Sequence, residues 1–180
     1  MAERVDVVSE DGVPTGETTE REKAQQEGTW HQTAHLWVYT PQGETLLQRR
    51  STTKRLWPGK LDIAIAGQVK AGESASQACA REAEEELGLS FSEQSLEFVK
   101  RRRTTLTPEA GGTDNEVNEI FILRYEGPRD GFGPRSDEVE EAFLIGLDEL
   151  ERRLEKDEGA FAHSRDYWED MIQEIRKRSG

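Results

Sequence analysis

Between Ser74 and Leu87 the chain reads SASQACAREAEEEL, a run without Gly or Pro that stops at Gly88. Rich in Ala and Glu, it predicts a helix. At about 100° per helical residue, Glu82, Glu85 and Glu86 share one face roughly 100° wide, while Ala80, Ala83 and Leu87 form an apolar stripe elsewhere on the surface. Like charges spaced i,i+4 destabilise a helix by about 0.2–0.5 kcal/mol, so something should offset their repulsion. The residues alone leave two readings open. A charge run is ordinarily a solvated face. Alternatively, clustered carboxylate oxygens suit a hard divalent cation, which keeps water and substrate phosphates as its remaining ligands.

Spacing sharpens the choice. Gly67 is followed after five residues by Glu73, after seven more by Arg81-Glu82-Ala83, then by Glu85-Glu86 and Gly88-Leu89. That pattern matches the Nudix box at every fixed position, and the chain resembles the Nudix superfamily. The resemblance implies an α/β (α+β) fold, an α/β/α sandwich with a mixed sheet and a loop–helix–loop motif over residues 67–89. It implies hydrolysis of a nucleoside diphosphate linked to another group, or of a similar small organic diphosphate. Carried over by position, Glu82, Glu85 and Glu86 would hold Mg²⁺ or Mn²⁺ and act in catalysis, with the Gly67 carbonyl as a further ligand. Arg81 and Glu73 would form a structural ion pair bracing loop against helix. Metal ions would offset the charge of the diphosphate and lower the pKa of an attacking water. A general base is also required. Glu85 or another box glutamate, Glu116, Asp137, Glu138 and Glu140 are all candidates.

Outside the box, Trp30-His31, LLQRRSTTKRLWPGKLD (residues 46–62), TDNEV (113–117) and SDEVEEAF (136–143) resemble the isopentenyl-diphosphate isomerase branch of Nudix proteins. By that resemblance Arg50 and Lys54 are the substrate-binding residues that hold the diphosphate, a fork and a point charge suited to phosphoryl oxygens. The isomerase chemistry does not carry over. Its cysteine position is Ala66, and two of its metal-histidine positions are Ala24 and Gln68, leaving His31, Asp114 and Glu116. Methyl and amide groups replace neither a thiol nor an imidazole ligand. Isomerisation and a non-catalytic nucleotide-binding module are therefore the alternatives to hydrolysis.

Several other residues have plainer expectations. His31 and His35 share a strand face, as a ligand pair would, but packed or partly exposed side chains are the expectation. His163 reads as surface, Trp57 as a wedge of the Pro58-Gly59 turn into the core, and Cys79 as a small packed residue. Arg101-Arg102-Arg103 precedes a polar loop, residues 104–115, either substrate-binding or solvated.

The elements that must position these residues follow from pattern. Residues 5–8 and a turn at Asp11-Gly12 start a hairpin, and 17–28 read as a loose helix or connection. Strands are expected at 35–39 and 44–49, joined by Thr40-Pro41-Gln42-Gly43, and at 61–66, 96–100, 120–125 and 142–145. Helices over 148–154 and 165–176 close the chain, with Tyr167, Met171, Ile172 and Ile175 on one face. The expected organisation is one domain over 1–180, with hairpin and connection at 1–28, the box at 67–89 and C-terminal helices in 148–180.

Composition limits the partners. The 180 residues carry 24 Lys plus Arg against 37 Asp plus Glu, a formal net charge of −13. Nucleic acids and anionic membranes require a cationic footprint, so neither is an expected partner. No run approaches the ~18 apolar residues of a membrane span. MAERVDVVSEDG lacks the pattern of a secretory signal, so a cytoplasmic location is expected. One cysteine excludes an intrachain disulfide. Hydrophobic residues are 33% of the chain, which predicts a central core and polar ends.

Overall fold

The turn at Pro41-Gly43 joins β3 (His31–Tyr39) to β4 (Glu44–Arg50), with Gly43 at φ 79° where a side chain would be strained. The computed structural model, which describes residues 1–180, builds a mixed sheet around this pair. Its other strands are β5 (Leu61–Ile63), β6 (Ile65–Gln68), β7 (Glu97–Leu106), β8 (Asp114–Arg124) and β9 (Val139–Gly146). Strand β3 runs parallel to β8 over its whole length and antiparallel to β6, while β4 takes β5 and β9 as antiparallel neighbours. A separate hairpin, β1 (Arg4–Val8) and β2 (Pro14–Glu20), precedes α1 (Arg21–Glu27).

Alternation along β3 generates two cores. Ala34, Leu36 and Val38 face α2 (Ala75–Leu87), where they join Ala78, Cys79, Ala83 and Leu87. Trp37 and Tyr39 face the other way, toward α3 (Leu147–Lys156) and α4 (Arg165–Arg178). Helices thus cover both faces of the sheet, the layering expected. Helix α2 starts where its capping box dictates. Ser74 Oγ accepts a hydrogen bond from the Gln77 backbone N–H, and the Gln77 side chain accepts one from the Ser74 N–H. No helix is long and apolar enough to cross a membrane.

Four expectations need correction. The segment 61–66 is two strands, because β5 pairs with β4 whereas β6 crosses to β3. Residues 17–20 extend β2, and only 21–27 are helical. Strands β7 and β8 run into the presumed polar loop, leaving 107–113 between them. Here cross-strand pairs, among them Arg101 opposite Glu119, replace the apolar alternation that marks a strand. Finally, the chain ends are not merely polar. Val5 and Val8 are buried, and α4 supplies Tyr167, Trp168, Met171, Ile172 and Ile175 to the larger core.

Trp168 is fully buried, packs edge-on against Trp37, and donates its indole N–H to the Ala162 carbonyl at 2.6 Å. Trp168→Ala should lower the unfolding free energy by about 3–5 kcal/mol, read from urea denaturation. An unchanged midpoint would show α4 to be peripheral.

Candidate active site

The box residues meet where β6 runs into α2. A Cβ built on Gly67 would lie 2.6 Å from Glu82 Cγ and 2.9 Å from its Cδ, closer than atoms pack. The bare glycine therefore lets the Glu82 stem lie against the strand. Arg81 connects the surroundings. Its Nε and Nη2 donate to the two oxygens of Glu73 at 2.7 and 2.9 Å, and Nη2 also donates to the Gln68 carbonyl at 3.0 Å. Its Nη1 reaches Glu82 at 2.7 Å and Glu85 at 3.3 Å. Glu73 in turn accepts the Lys70 backbone N–H at 3.0 Å, which ties the loop to the helix.

The three helix carboxylates differ in setting. Glu86 is 8% exposed, and Gln48 Nε2 donates to it at 3.1 Å. Burial, then the charge of Glu82, pushes the Glu86 carboxyl up to about 7. Burial also raises Glu82, against the pull of Arg81. Glu85 is outward, with more than half of its side chain exposed. Glu138 lies just before β9 and is close enough to Glu82 and Glu86 to raise both by charge repulsion. Burial pushes Glu138 up as well, but its ion pair with Lys54 outweighs this and holds it below the usual carboxylate range. A set of partly desolvated oxygen donors that repel one another, seated on a glycine, fits a hard divalent cation.

Strand β6 separates this cluster from a second feature. Gly67 faces α2, while Ala66 and Gln68 face a cleft of about 320 Å³ on the other side of the strand. Arg50, Lys54 and Glu138 line the cleft, as do Arg21 and Arg55, which sequence reasoning missed. Nothing in the local pattern marks Arg21, while Arg55 adjoins Lys54 and was open to the same argument. Arg50 is not free. Its Nη1 donates to Asp62 Oδ2 at 2.8 Å and its Nε to the Leu56 carbonyl at 3.0 Å.

Glu116 also lines the cleft. It accepts hydrogen bonds from Gln68 Nε2 at 3.4 Å and Asn118 Nδ2 at 3.1 Å, and burial followed by the charge of Asp114 pushes it up to about 8. Its carboxylate lies with His31 and Asp114 in a buried group whose ligand atoms are within 4.8 Å of one another. The structure thus groups Glu116 with His31 and Asp114, and brings Glu138 within electrostatic reach of Glu82 and Glu86. Of the remaining base candidates, Glu140 accepts the Thr52 backbone N–H and Asp137 is exposed.

Two aromatic expectations also change. Trp57 is not a core wedge, and His163 is not at the surface, its side chain being 5% exposed. Both line the cleft, with ring centroids 4.5 Å apart. They are the two non-glycine residues with left-handed backbone, at φ 47° and 61°. Such conformations cost on the order of 1–3 kcal/mol each and persist only where their surroundings over-determine them. Here Asp62 supplies part of the restraint, accepting from His163 Nε2 at 2.9 Å. Burial would raise Asp62, yet His163 and Arg50 hold it well below the usual carboxylate range.

A family model described as NUDIX domain matches residues 29–165. Nudix hydrolase 3 of Arabidopsis thaliana is 29% identical over 164 residues, covering 88% of this chain and 21% of its own length; the chain thus spans about a fifth of that relative. An isopentenyl-diphosphate Delta-isomerase of Shigella flexneri is 31% identical over 125 residues, covering 69% of this chain and 68% of its own. Among solved structures, DR0079 from Deinococcus radiodurans superposes with a TM-score of 0.67 at 21% identity, over 97% of this chain and 98% of that one.

Arg81→Lys retains the charge but not the two-pronged contact with Glu73. It should lower unfolding free energy by about 1–2 kcal/mol in urea, less than a fully buried pair because Arg81 is partly solvated.

Proposed function

The chain belongs to the NUDIX domain family, and on that premise we propose that it hydrolyses a diphosphate linkage in a nucleoside diphosphate joined to another group, or in a similar organic diphosphate. The family match and the hydrolase relative support a pyrophosphohydrolase. The observation that carries the reading is the seating of Glu82 on bare Gly67, beside buried Glu86 and next to a cleft rimmed by Arg21, Lys54 and Arg55.

Glu82, Glu86 and Glu85 would hold Mg²⁺ or Mn²⁺, with the Gly67 carbonyl as a further donor. When bound, the ion supplies charge neutralisation for the diphosphate and a more acidic water. Lys54 and Arg50, with Arg21 and Arg55, would grip and orient the anionic oxygens of the substrate. Arg81 and Glu73 would keep the helix carboxylates in place without touching substrate. Glu138 is favoured as the group that takes the proton of the attacking water, since it borders both the cleft and the Glu82–Glu86 pair. On this reading residues 1–180 are one domain acting on a small molecule.

Isomerisation has less support. Ala66 presents a methyl group to the cleft, and the chain's one cysteine, Cys79, is buried on the core-facing side of α2 with burial raising its thiol pKa. No thiol is within the cleft to exchange a proton with carbon.

A panel of nucleoside di- and triphosphates, nucleotide sugars, dinucleoside polyphosphates and thiamine and prenyl diphosphates, assayed with Mg²⁺ or Mn²⁺, tests the proposal. At least one should be cleaved. Glu86→Gln should slow that cleavage by about 10²–10³-fold, the range for losing one preorganised electrostatic contact. No turnover across the panel overturns the reading, and tight nucleotide binding insensitive to chelator would replace it with a binding module.

A further inference from the structure

Strand β4 carries a buried amide on the face it turns to α2. Leu46 joins the core beneath α2 and Leu47 the core on the opposite side of the sheet, so Gln48 points back toward α2. It is 4% exposed. A buried amide is costly unless its donors are spent, and here both are. Gln48 Nε2 donates to the Ala64 carbonyl at 2.6 Å and to Glu86 Oε2 at 3.1 Å.

The first contact fixes the second. Ala64 lies where β5 gives way to β6 and belongs to the ladder of neither. A carbonyl can only accept, so the nitrogen end of the Gln48 amide must face it. Turned over, the amide would set two oxygens 2.6 Å apart. The remaining N–H of the same nitrogen is then directed at Glu86.

The helix backbone at this point is secured by other groups. The Arg135 N–H donates to the Glu86 carbonyl at 2.8 Å, and the Gly133 N–H to the Leu87 carbonyl at 2.9 Å. What Gln48 adds therefore acts on the Glu86 side chain. No protein group hydrogen-bonds to the other carboxylate oxygen, Oε1.

We propose that Gln48 is a positioning residue of the box: by tying Glu86 Oε2 to the strand break at Ala64, it holds the carboxylate with Oε1 available to a divalent cation. This rests on the metal-dependent reading above and adds how a strand outside the box sets one of its ligands. Hydrogen-bond partners of metal ligands typically contribute about 10–100-fold in affinity. An amide present only to satisfy the Ala64 carbonyl would affect folding and leave metal binding unchanged.

Mn²⁺ alone, titrated by calorimetry without substrate, is the probe. Gln48→Met keeps the length of the side chain and removes both donors, and should weaken Mn²⁺ binding by about 10-fold. Glu86→Asp retains a carboxylate but draws it back by a methylene, out of reach of Gln48. In that background Gln48→Met should change the affinity by less than about 2-fold, because the contact is already lost. Gln48→Asn, which withdraws the amide instead, should weaken binding in the same direction and serves if the methionine variant does not fold. Urea midpoints report any structural share separately, since the stoichiometry of the titration counts the folded fraction. Unchanged affinity in Gln48→Met, an equal loss in both backgrounds, or no Mn²⁺ binding by the native protein overturns the proposal. With the affinity pattern intact, no cleavage of any panel compound sinks the hydrolase reading and leaves this one standing. Cleavage by the native protein, with affinity unmoved by Gln48→Met, does the reverse.

Discussion

The repulsion among Glu82, Glu85 and Glu86 is the constraint on which the site depends. Three acids on one helix face would drive their side chains apart if nothing held them. Arg81 restrains two of them from the side, and the strand at Gly67 leaves Glu82 no other place to lie. Glu86 has a neutral amide as its hydrogen-bond partner, and the pull of Lys54 does not offset its burial and the repulsion of Glu82 and Glu138. Arg81 has nonetheless matched its firmest contacts to Glu73, in the loop. It therefore anchors the motif without neutralising the whole cluster, and the residual negative potential is what a cation would answer.

Strand β6 then divides the chemistry. Its alternate residues contribute to a metal-type cluster on one face and to the floor of a cleft on the other, so four residues serve two environments. The two communicate at the rim, where Glu138 pairs with Lys54 while repelling Glu82 and Glu86. A substrate lying along the cleft would bring anionic oxygens to Lys54 and so release Glu138 from its ion pair. On the reading proposed above, that exchange would link binding at the cationic rim to the state of the carboxylate beside the box.

The box was legible because its residues are local. Capping by Ser74, the helix stop at Gly88 and the carboxylate spacing all lie within one short segment, and the backbone there follows its own propensities. The C-terminal helix face was legible from apolar periodicity, and the sheet layering from the resemblance to the Nudix superfamily. What sequence reading missed was set by distant partners. Strand β8 begins at Asp114 because Asp114 to Glu119 pair across to Leu106 to Arg101, a polar ladder with no apolar signature. The break near Ala64 follows from β5 and β6 choosing different neighbours. His163 is about a hundred residues from Asp62 and Trp57, so no local rule brings the three together. The same holds for Arg21, which reaches the cleft from a helix that reads as a connection.

The histidines of the cleft show why packing and chemistry are hard to separate in this fold. Tyr167 is a core residue, buried with Trp37 and Trp168 beneath the sheet, and its hydroxyl is hydrogen-bonded to His35 Nδ1. Asp62 is equally buried and sets the orientation of His163 while accepting from Arg50. A buried carboxylate carries a large desolvation cost unless it is fully bonded, and both of its oxygens are occupied. The strained backbones at Trp57 and His163 add to that cost. Together these features hold the two imidazole rings in place inside a cleft that is otherwise strongly charged. The restraint comes from buried partners, Tyr167 for His35 and Asp62 for His163, and not from the charged side chains that also line the cleft. A ring on an exposed chain would have to be ordered whenever anything bound beside it, and here the core has already met that cost in folding.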